Sequence, residues 1–338
     1  MSSSSSREEI ILKVQSIMKK EPLIILGSGA SCAHDIPSMA VLGENIFNCF
    51  PNEIKESEEA AWNRFTTDES YKKNLEKALS EANFSEEAKQ EIIKICRKTI
   101  AEADRMAYQS LRYDKNWPLK KLLEYVFDST KRAVDILTTN YDCLAEYAAR
   151  AAGYRIYTAI NKIEPSKVFE MKSQRCQQLK TVNIWKVHGS IDWFLSREKQ
   201  YSRIPLQLEP FDGDIPLIIP PHSLKYQKTH EEPYRSIITK ADSAIENASG
   251  FLCIGFGFND SHIQEKLIQA CQNNSKPIIL LTKDLTDNAQ NFLNGCNNYF
   301  AFTNHEDTQT KIRSSSPEDF LMPDTQWWRL SEFISILS

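Results

Sequence analysis

The sequence predicts an α/β fold, a mainly parallel sheet with helices on both faces and a helical insertion. Three observations lead there. Short apolar runs with β propensity, Leu23–Leu26, Val134–Leu137, Ile184–Val187 and Leu252–Ile254, each end in glycine or polar residues. Helical sequence separates or follows most of them, the alternation that joins parallel strands by crossover helices. Between the first run and the second lie roughly 80 residues of helix-forming sequence, far more than one crossover needs, so this stretch reads as an insert.

In chain order, Met1–Ser6 is a polar tail. Ile10, Ile11, Val14, Ile17 and Met18 then recur at helical spacing, and Pro22 stops that helix just before Leu23. Two glycines flank a serine at Gly27-Ser28-Gly29, a tight turn, with helix expected over Ser38–Phe50. Glu53–Phe65, Ser85–Arg105 and Pro118–Phe127 are rich in helix formers, and Ser85-Glu-Glu-Ala has the acidic first turn of a helix start. Ala133–Thr138 reads as a strand, followed by a helix that Gly153 ends. Tyr154–Ile160 and Thr181–Val187 read as further strands. Residues 195–230 read as irregular, apart from the apolar run Pro216–Pro221. A helix over Glu231–Ala248, a strand over Phe251–Ile254, a helix over Asp260–Cys271 and a strand over Pro277–Leu281 complete the alternation. Residues 303–326 read as a polar loop, and Trp327–Leu337 as a short amphipathic helix that docks on the body or on a partner.

Composition narrows the function classes. Hydrophobic residues make up 41% and charged residues 25%, as in a globular protein. With 41 basic against 45 acidic residues the formal net charge is −4, so no overall basic field points to nucleic acid. No apolar run approaches the roughly 18 residues of a membrane span, and Arg7–Lys20 is too charged for a signal peptide core. The eight cysteines form no C-x-x-C pair, so free thiols in a cytoplasmic protein are expected and no metal site.

In an open parallel sheet, ligands bind beyond the C-terminal ends of the strands. Four runs deliver chemistry there: Gly27-Ser28-Gly29-Ala30-Ser31, Thr138-Thr139-Asn140-Tyr141-Asp142, His188-Gly189, and Gly255-Phe256-Gly257 followed by Asn259-Asp260. Each has a structural alternative. The glycine turn is a phosphate cradle or an ordinary strand-to-helix turn. Asn140, Asp142, Asn259, Asp260 and His262 fit helix capping, His188 fits a packed histidine, and Gly-Phe-Gly fits a plain turn. His34 is expected to be exposed, and His222 and His230 border the irregular region. Trp193, Phe194, Trp327 and Trp328 read as core or interface residues.

Taken in register, these residues carry a family resemblance. Gly27-Ser-Gly-Ala-Ser31, three residues and then Asp35-Ile36-Pro37 resembles the sirtuin pattern G-A-G-x-S-x-x-x-G-I-P-D-F-R. Thr139-Asn140-Tyr141-Asp142 resembles its Q-N-I-D, Val187-His188-Gly189 its H-G, and Ile254-Gly255-Phe256-Gly257 stands where its G-T-S falls. Two features depart from it. Ser38-Met39-Ala40 replaces Asp-Phe-Arg, and Ser190–Gly250 lacks the four zinc cysteines of the deacylases. The wording T-T-N-Y-D, H-G-S-I-D-W and I-G-F-G-F-N-D-S-H-I, with Pro216-Leu-Ile-Ile-Pro-Pro ahead of Lys225, is similar to the sirtuin-like NAD-degrading effectors of bacterial antiviral systems.

The resemblance implies a Rossmann-like catalytic domain over 22–300, with the insert at about 45–130, an N-terminal tail and helix over 1–21 and a C-terminal extension over 301–338. It implies NAD+ hydrolysis to nicotinamide and ADP-ribose without a metal, with Asn140 and His188 catalytic. Gly27, Ser28, Gly29, Ala30 and Ser31 would hold the pyrophosphate. Ile36, Pro37, Thr139 and Phe256 would line the NAD+ site, Asp142 would orient the Asn140 loop or meet the nicotinamide amide, and Gly255 and Gly257 would admit the adenosine half. A homo-oligomer, or activation by a HerA-type ATPase, an Argonaute-like protein or a phage component, is implied by analogy. An NAD-dependent deacylase and a non-catalytic NAD or ADP-ribose-binding module are the alternatives.

Overall fold

The computed structural model describes residues 3–129, 131–160, 180–206, 210–211, 213–219, 231–306, 308–316 and 319–337. His222, Lys225, His230, Cys176 and the end of the run Pro216–Pro221 lie outside them. The strands, in chain order, are β1 (Leu23–Leu26), β2 (Ala133–Thr138), β3 (Arg155–Tyr157), β4 (Thr181–Lys186), β5 (Gly189–Leu195) and β6 (Tyr201–Arg203). They continue with β7 (Ile215–Ile218), β8 (Phe251–Ile254), β9 (Ile278–Leu281), β10 (Tyr299–His305), β11 (Gln309–Ser314) and β12 (Phe320–Met322).

Among the described residues, nine strands form one sheet in the order β12-β11-β10-β9-β8-β1-β2-β4-β3, parallel from β10 through β3. This is the mixed α/β architecture that the alternation predicts. The central strand β1 is buried at all four positions, and its alternate side chains enter different cores. Ile24 and Leu26 pack with Ile10 and Val14 of the N-terminal helix Ser3–Met18. Leu23 and Ile25 pack on the other face with Ile237 and Ala241 of the helix Tyr234–Asn247. A strand covered on both faces must be apolar throughout, which is why Leu23–Leu26 shows no alternation.

Register brings the strand ends level. Leu26 lies opposite both Thr138 and Ile254, Thr138 opposite Lys186, and Ile254 opposite Leu281. The residues that follow each strand therefore emerge along one edge. The insert is helical, running from Met39–Cys49 to the 26-residue helix Glu86–Leu111 and then Pro118–Val126. Ser38, Asn74 and Ser85 cap three of its helices; Phe50, Phe65, Tyr71 and Phe84 are buried in its core, and Trp62 and the exposed Phe47 stack against them. No described helix is long and apolar enough to cross a membrane.

Three sequence expectations are corrected. Residues 195–230 are not simply irregular, because β6 and β7 flank β5 in a second, antiparallel sheet. Buried Ser190 and Asp192 interrupt β5, which therefore lacks a clean apolar signature. The expected polar loop over 303–326 holds the end of β10 and all of β11 and β12, and these last two extend the main sheet antiparallel. There Thr310 and Ile312 are buried while Gln309, Lys311 and Arg313 are half-buried, the alternation of strands near a sheet edge. The helix expected over Asp260–Cys271 runs from Ser261 to Leu267 and then widens into a π-type turn at Ile268–Asn273. The Trp327–Leu337 segment docks on the body, with Phe333 and Trp327 buried and the carbonyl of Ile336 accepting from Gln15 Nε2 at 2.8 Å.

Gly255 has φ +58°, and a Cβ there would stand 2.3 Å from the Ala30 nitrogen and 2.4 Å from the Gly29 carbonyl carbon. Gly153 has φ +79° with nothing within 4 Å of its Cβ position. Gly255→Ala is expected to lower stability by more than about 2 kcal/mol, and Gly153→Ala by about 1 kcal/mol from backbone strain alone, as read by denaturant unfolding.

Candidate active site

The turn after β1 leads straight into a short helix, Ser28–Cys32. Its glycines are required by close approach to the β8 turn. A Cβ on Gly27 would meet the Gly255 oxygen at 2.4 Å, and one on Gly29 the Gly255 Cα at 2.8 Å. The N–H of Gly27 donates to Ile254, that of Gly29 to Gly255 and that of Ala30 to Gly27, all at 3.0 Å. These three N–H groups are engaged within the protein, which narrows the expectation of a cradle of open amides. Two turns touching backbone to backbone account for the glycines.

The loop after β2 is tied to the same turn. Thr138 Oγ1 donates to the Leu26 carbonyl at 3.0 Å and accepts from the Asn140 N–H at 3.0 Å. Asn140 Nδ2 donates to the Gly27 carbonyl and to Ser31 Oγ, both at 2.8 Å. The Ser31 hydroxyl in turn donates to Asp142 Oδ2 at 2.6 Å, and Asp142 Oδ1 accepts from the Leu144 N–H at 3.1 Å. Since a carbonyl only accepts, the Gly27 contact fixes the amide orientation and leaves Asn140 Oδ1 to receive a proton donor such as water. Asp142 thus reaches Asn140 through the Ser31 hydroxyl.

His188 follows β4 and is 7% exposed. Its Nε2 lies 2.8 Å from Asp260 Oδ2, while Asp260 Oδ1 accepts from the Ile263 N–H at 3.0 Å and so caps the helix Ser261–Leu267. Capping is the role the sequence suggests for Asp260, and the contact with His188 comes in addition. His262 points elsewhere, pairing at the surface with Asp242 at 2.9 Å, which holds its imidazole above the ordinary range. His34, expected to be exposed, is half-buried edge-on to Trp117, and burial lowers its pKa.

Beneath the loop lies a buried charge cluster. Lys186, without exposed surface, donates from Nζ to the carbonyls of Tyr141 (3.2 Å) and Asp142, and stands 3.3 Å from Glu146 Oε1. Asp104, also without exposed surface, accepts from the Cys143 N–H at 2.7 Å and the Tyr147 hydroxyl at 2.6 Å. Burial first, and then the neighbouring Asp142 charge, push the Asp104 carboxyl up to about 7.

One cavity of about 450 Å³ gathers most of the residues singled out in the sequence. Gly27, Ser28, Ser31, Ile36 and Pro37 line it from the β1 side. Thr139, Asn140 and Asp142 line it from β2, His188 from β4, and Phe256 and Gly257 from β8. Gly29, Ala30 and Gly255 face instead a second cavity of about 610 Å³, which shares Ser31, Asn140 and Asp142 with the first. The sequence reading gives Asp260 only a capping role and omits the insert's contribution, Lys72, Lys73 and Glu76 among others. The Asn259-Asp260 pair at a strand end was a signal for the former, whereas nothing local marks the latter.

Residues 134–300, from β2 into β10, match the family described as SIR2-like domain. Solved structures of similar fold include a SIR2 homologue in complex with NAD, at 14% identity and TM-score 0.43, covering 87% of this chain and 87% of that one. Another is Sir2 bound to acetylated peptide, at 12% identity and TM-score 0.43, covering 82% of this chain and 85% of that one. No curated protein matches the chain. The turn Gly27–Ser31 precedes the matched segment; Asn140 Nδ2 donates to the Gly27 carbonyl and Asp142 accepts from the Ser31 hydroxyl, which joins the two.

The raised Asp104 pKa has a stability consequence. Its folded value of about 7 lies above the ordinary 3.8 of an aspartate, so the folded state binds the proton more tightly. The stability this contributes is full below about pH 4 and lost as pH rises through about 7, at no more than about 1.4 kcal/mol per pH unit. Asp104→Asn, neutral throughout, is expected to gain on the wild type from about pH 4 to about pH 7 and to level off above it in parallel thermal unfolding series.

Proposed function

We propose that the protein is an NAD+ hydrolase, releasing nicotinamide and ADP-ribose. The observation that carries this reading is the convergence of Asn140, His188 and the Ser31–Asp142 pair on one cavity at the C-terminal edge of a parallel sheet. The SIR2-like match over residues 134–300 supports it.

The chemistry follows from the groups present. The bond between the ribose C1′ and the nicotinamide nitrogen breaks, and its electron pair leaves with nicotinamide. Positive charge builds on the ribose as the bond lengthens, and a rigid polar site lowers the barrier by holding ribose and water in line. Asn140 Oδ1 accepts a hydrogen bond from the attacking water. The water oxygen bonds to C1′, and its proton passes to the imidazole of His188 and then to solvent. Imidazole suits this step because it ionises near neutral pH. Ser28 faces the diphosphate from the cavity wall that Lys72 and Lys73 also line. Ile36, Pro37, Thr139 and Phe256 enclose the nucleotide, and Gly257 lets its adenosine half approach.

The sequence features shared with sirtuin-like effectors support a cytoplasmic role in antiviral defence through NAD+ depletion. An enzyme of that kind needs restraint, and assembly or an activating partner supplies it in this reading. Nicotinamide release by the purified chain, with and without an acyl-lysine peptide, is the test. Peptide-independent release is expected, reduced about 10²- to 10⁴-fold in Asn140→Ala and in His188→Ala. Release only with peptide would make the protein a deacylase. Binding of ADP-ribose with no release under any condition would make it a sensor.

A further inference from the structure

We propose that Asp260 is a positioning residue for His188, fixing the imidazole as its Nε2–H tautomer and leaving Nδ1 as the nitrogen that takes the proton. The substrate named in this step rests on the hydrolase reading, whereas the pairing rests on geometry alone.

The two side chains come from different strands. His188 follows β4 and Asp260 follows β8, and in the sheet β1 and β2 lie between those strands. The contact thus spans the ends of the two strands that carry the Gly27 turn and Asn140. Both side chains are mostly enclosed, His188 at 9% and Asp260 at 13% exposed. A carboxylate only accepts, so the 2.8 Å contact assigns the ring hydrogen to Nε2.

Each partner is anchored independently of the other. The His188 carbonyl accepts from the Ile219 N–H at 2.9 Å. Gly189 beside it sits at φ +85°, where a Cβ would stand 2.0 Å from the Leu217 oxygen, so the backbone at this point has no freedom to shift. Asp260 is held through Oδ1 by the Ile263 N–H, which leaves Oδ2 turned toward the ring. Backbone anchors fix where the imidazole starts, and the carboxylate fixes how it is rotated. When the water proton moves to Nδ1, the O–H bond breaks, its electron pair stays on oxygen and an imidazolium forms. The Asp260 carboxylate faces that new charge across Nε2–H, in a site where little water screens it.

A merely structural Asp260 would act only as the helix cap, and the variants separate the two roles. Asparagine and serine are both good N-caps, so Asp260→Asn and Asp260→Ser are expected to melt within a few degrees of the wild type. Asparagine removes the charge and lets an amide donate to Nε2, favouring the opposite tautomer, while serine is too short to reach the ring. For both, kcat for nicotinamide release is expected to fall about 10²-fold, with KM and ADP-ribose affinity little changed. Nitrogen-15 spectra of histidine-labelled protein, with His188→Gln to assign the signal, read the pairing without any turnover. They are expected to show the Nε2–H tautomer for His188 in the wild type and its loss in Asp260→Asn.

An Nδ1–H tautomer in the wild type, or an unchanged signal in Asp260→Asn, overturns the proposal whatever the substrate. Unchanged kcat in both variants overturns the positioning role even with the tautomer as expected. Absence of turnover in the wild type counts against the hydrolase reading, and the spectra still decide the pairing.

Discussion

The buried ammonium of Lys186 is the constraint on which the site depends. An isolated charge without exposed surface costs several kcal/mol in lost hydration, and it is tolerated only when good acceptors replace the water. Here the acceptors are Glu146 and the main-chain carbonyls of Tyr141 and Asp142. Glu146 belongs to the helix Leu144–Ala151 that follows the loop, so a single cation ties the loop, the next helix and strand β4 together. Because Lys186 stands two residues before His188, the same anchor sets where β4 releases the histidine.

Other contacts close around the same loop. Asp104, deep in the insert helix Glu86–Leu111, accepts from the Cys143 N–H, and the Ile191 N–H donates to the Tyr141 carbonyl at 3.0 Å. The Tyr141 hydroxyl donates to the Ile219 carbonyl at 2.7 Å. A salt bridge between Asp192 and Arg203, 2.6 Å apart, joins β5 to β6, and Arg97 of the insert donates to the Ile191 carbonyl at 2.9 Å. The insert therefore does two things: it lines the cavity near Lys73 and braces the loop from behind. A loop held by so many independent bonds has little room to adjust, and a site that must orient water and ribose benefits from that rigidity.

Much of the frame was legible in the residues. Phe251–Ile254 emerged as a strand with the expected bounds, because a short apolar run between breakers admits few other readings. Ala133–Thr138 did the same, and Ser85 caps its helix as its acidic first turn suggested. The clustering of Asn140, His188 and the β1 turn followed from one rule, that strands in a parallel sheet deliver their following residues to one edge. The strands of the second sheet escaped because buried polar residues in β5 are satisfied by partners elsewhere. The polar strands β11 and β12 escaped because edge positions tolerate hydrophilic side chains.

By itself the sequence determined the local elements: strand ends, caps, glycine turns, and the order in which polar residues leave the sheet. Those depend on neighbours a few positions apart, and spacing records them. Only the tertiary structure decided which of those residues meet. Asp260 reaches His188 across 72 positions, and Asp104 reaches Cys143 across 39. Lys186, in the middle of an apolar run, could not be recognised as an anchor until the carbonyls beneath it were in place. Burial turns such residues from liabilities into constraints, and burial is a property of the packed chain rather than of any stretch within it.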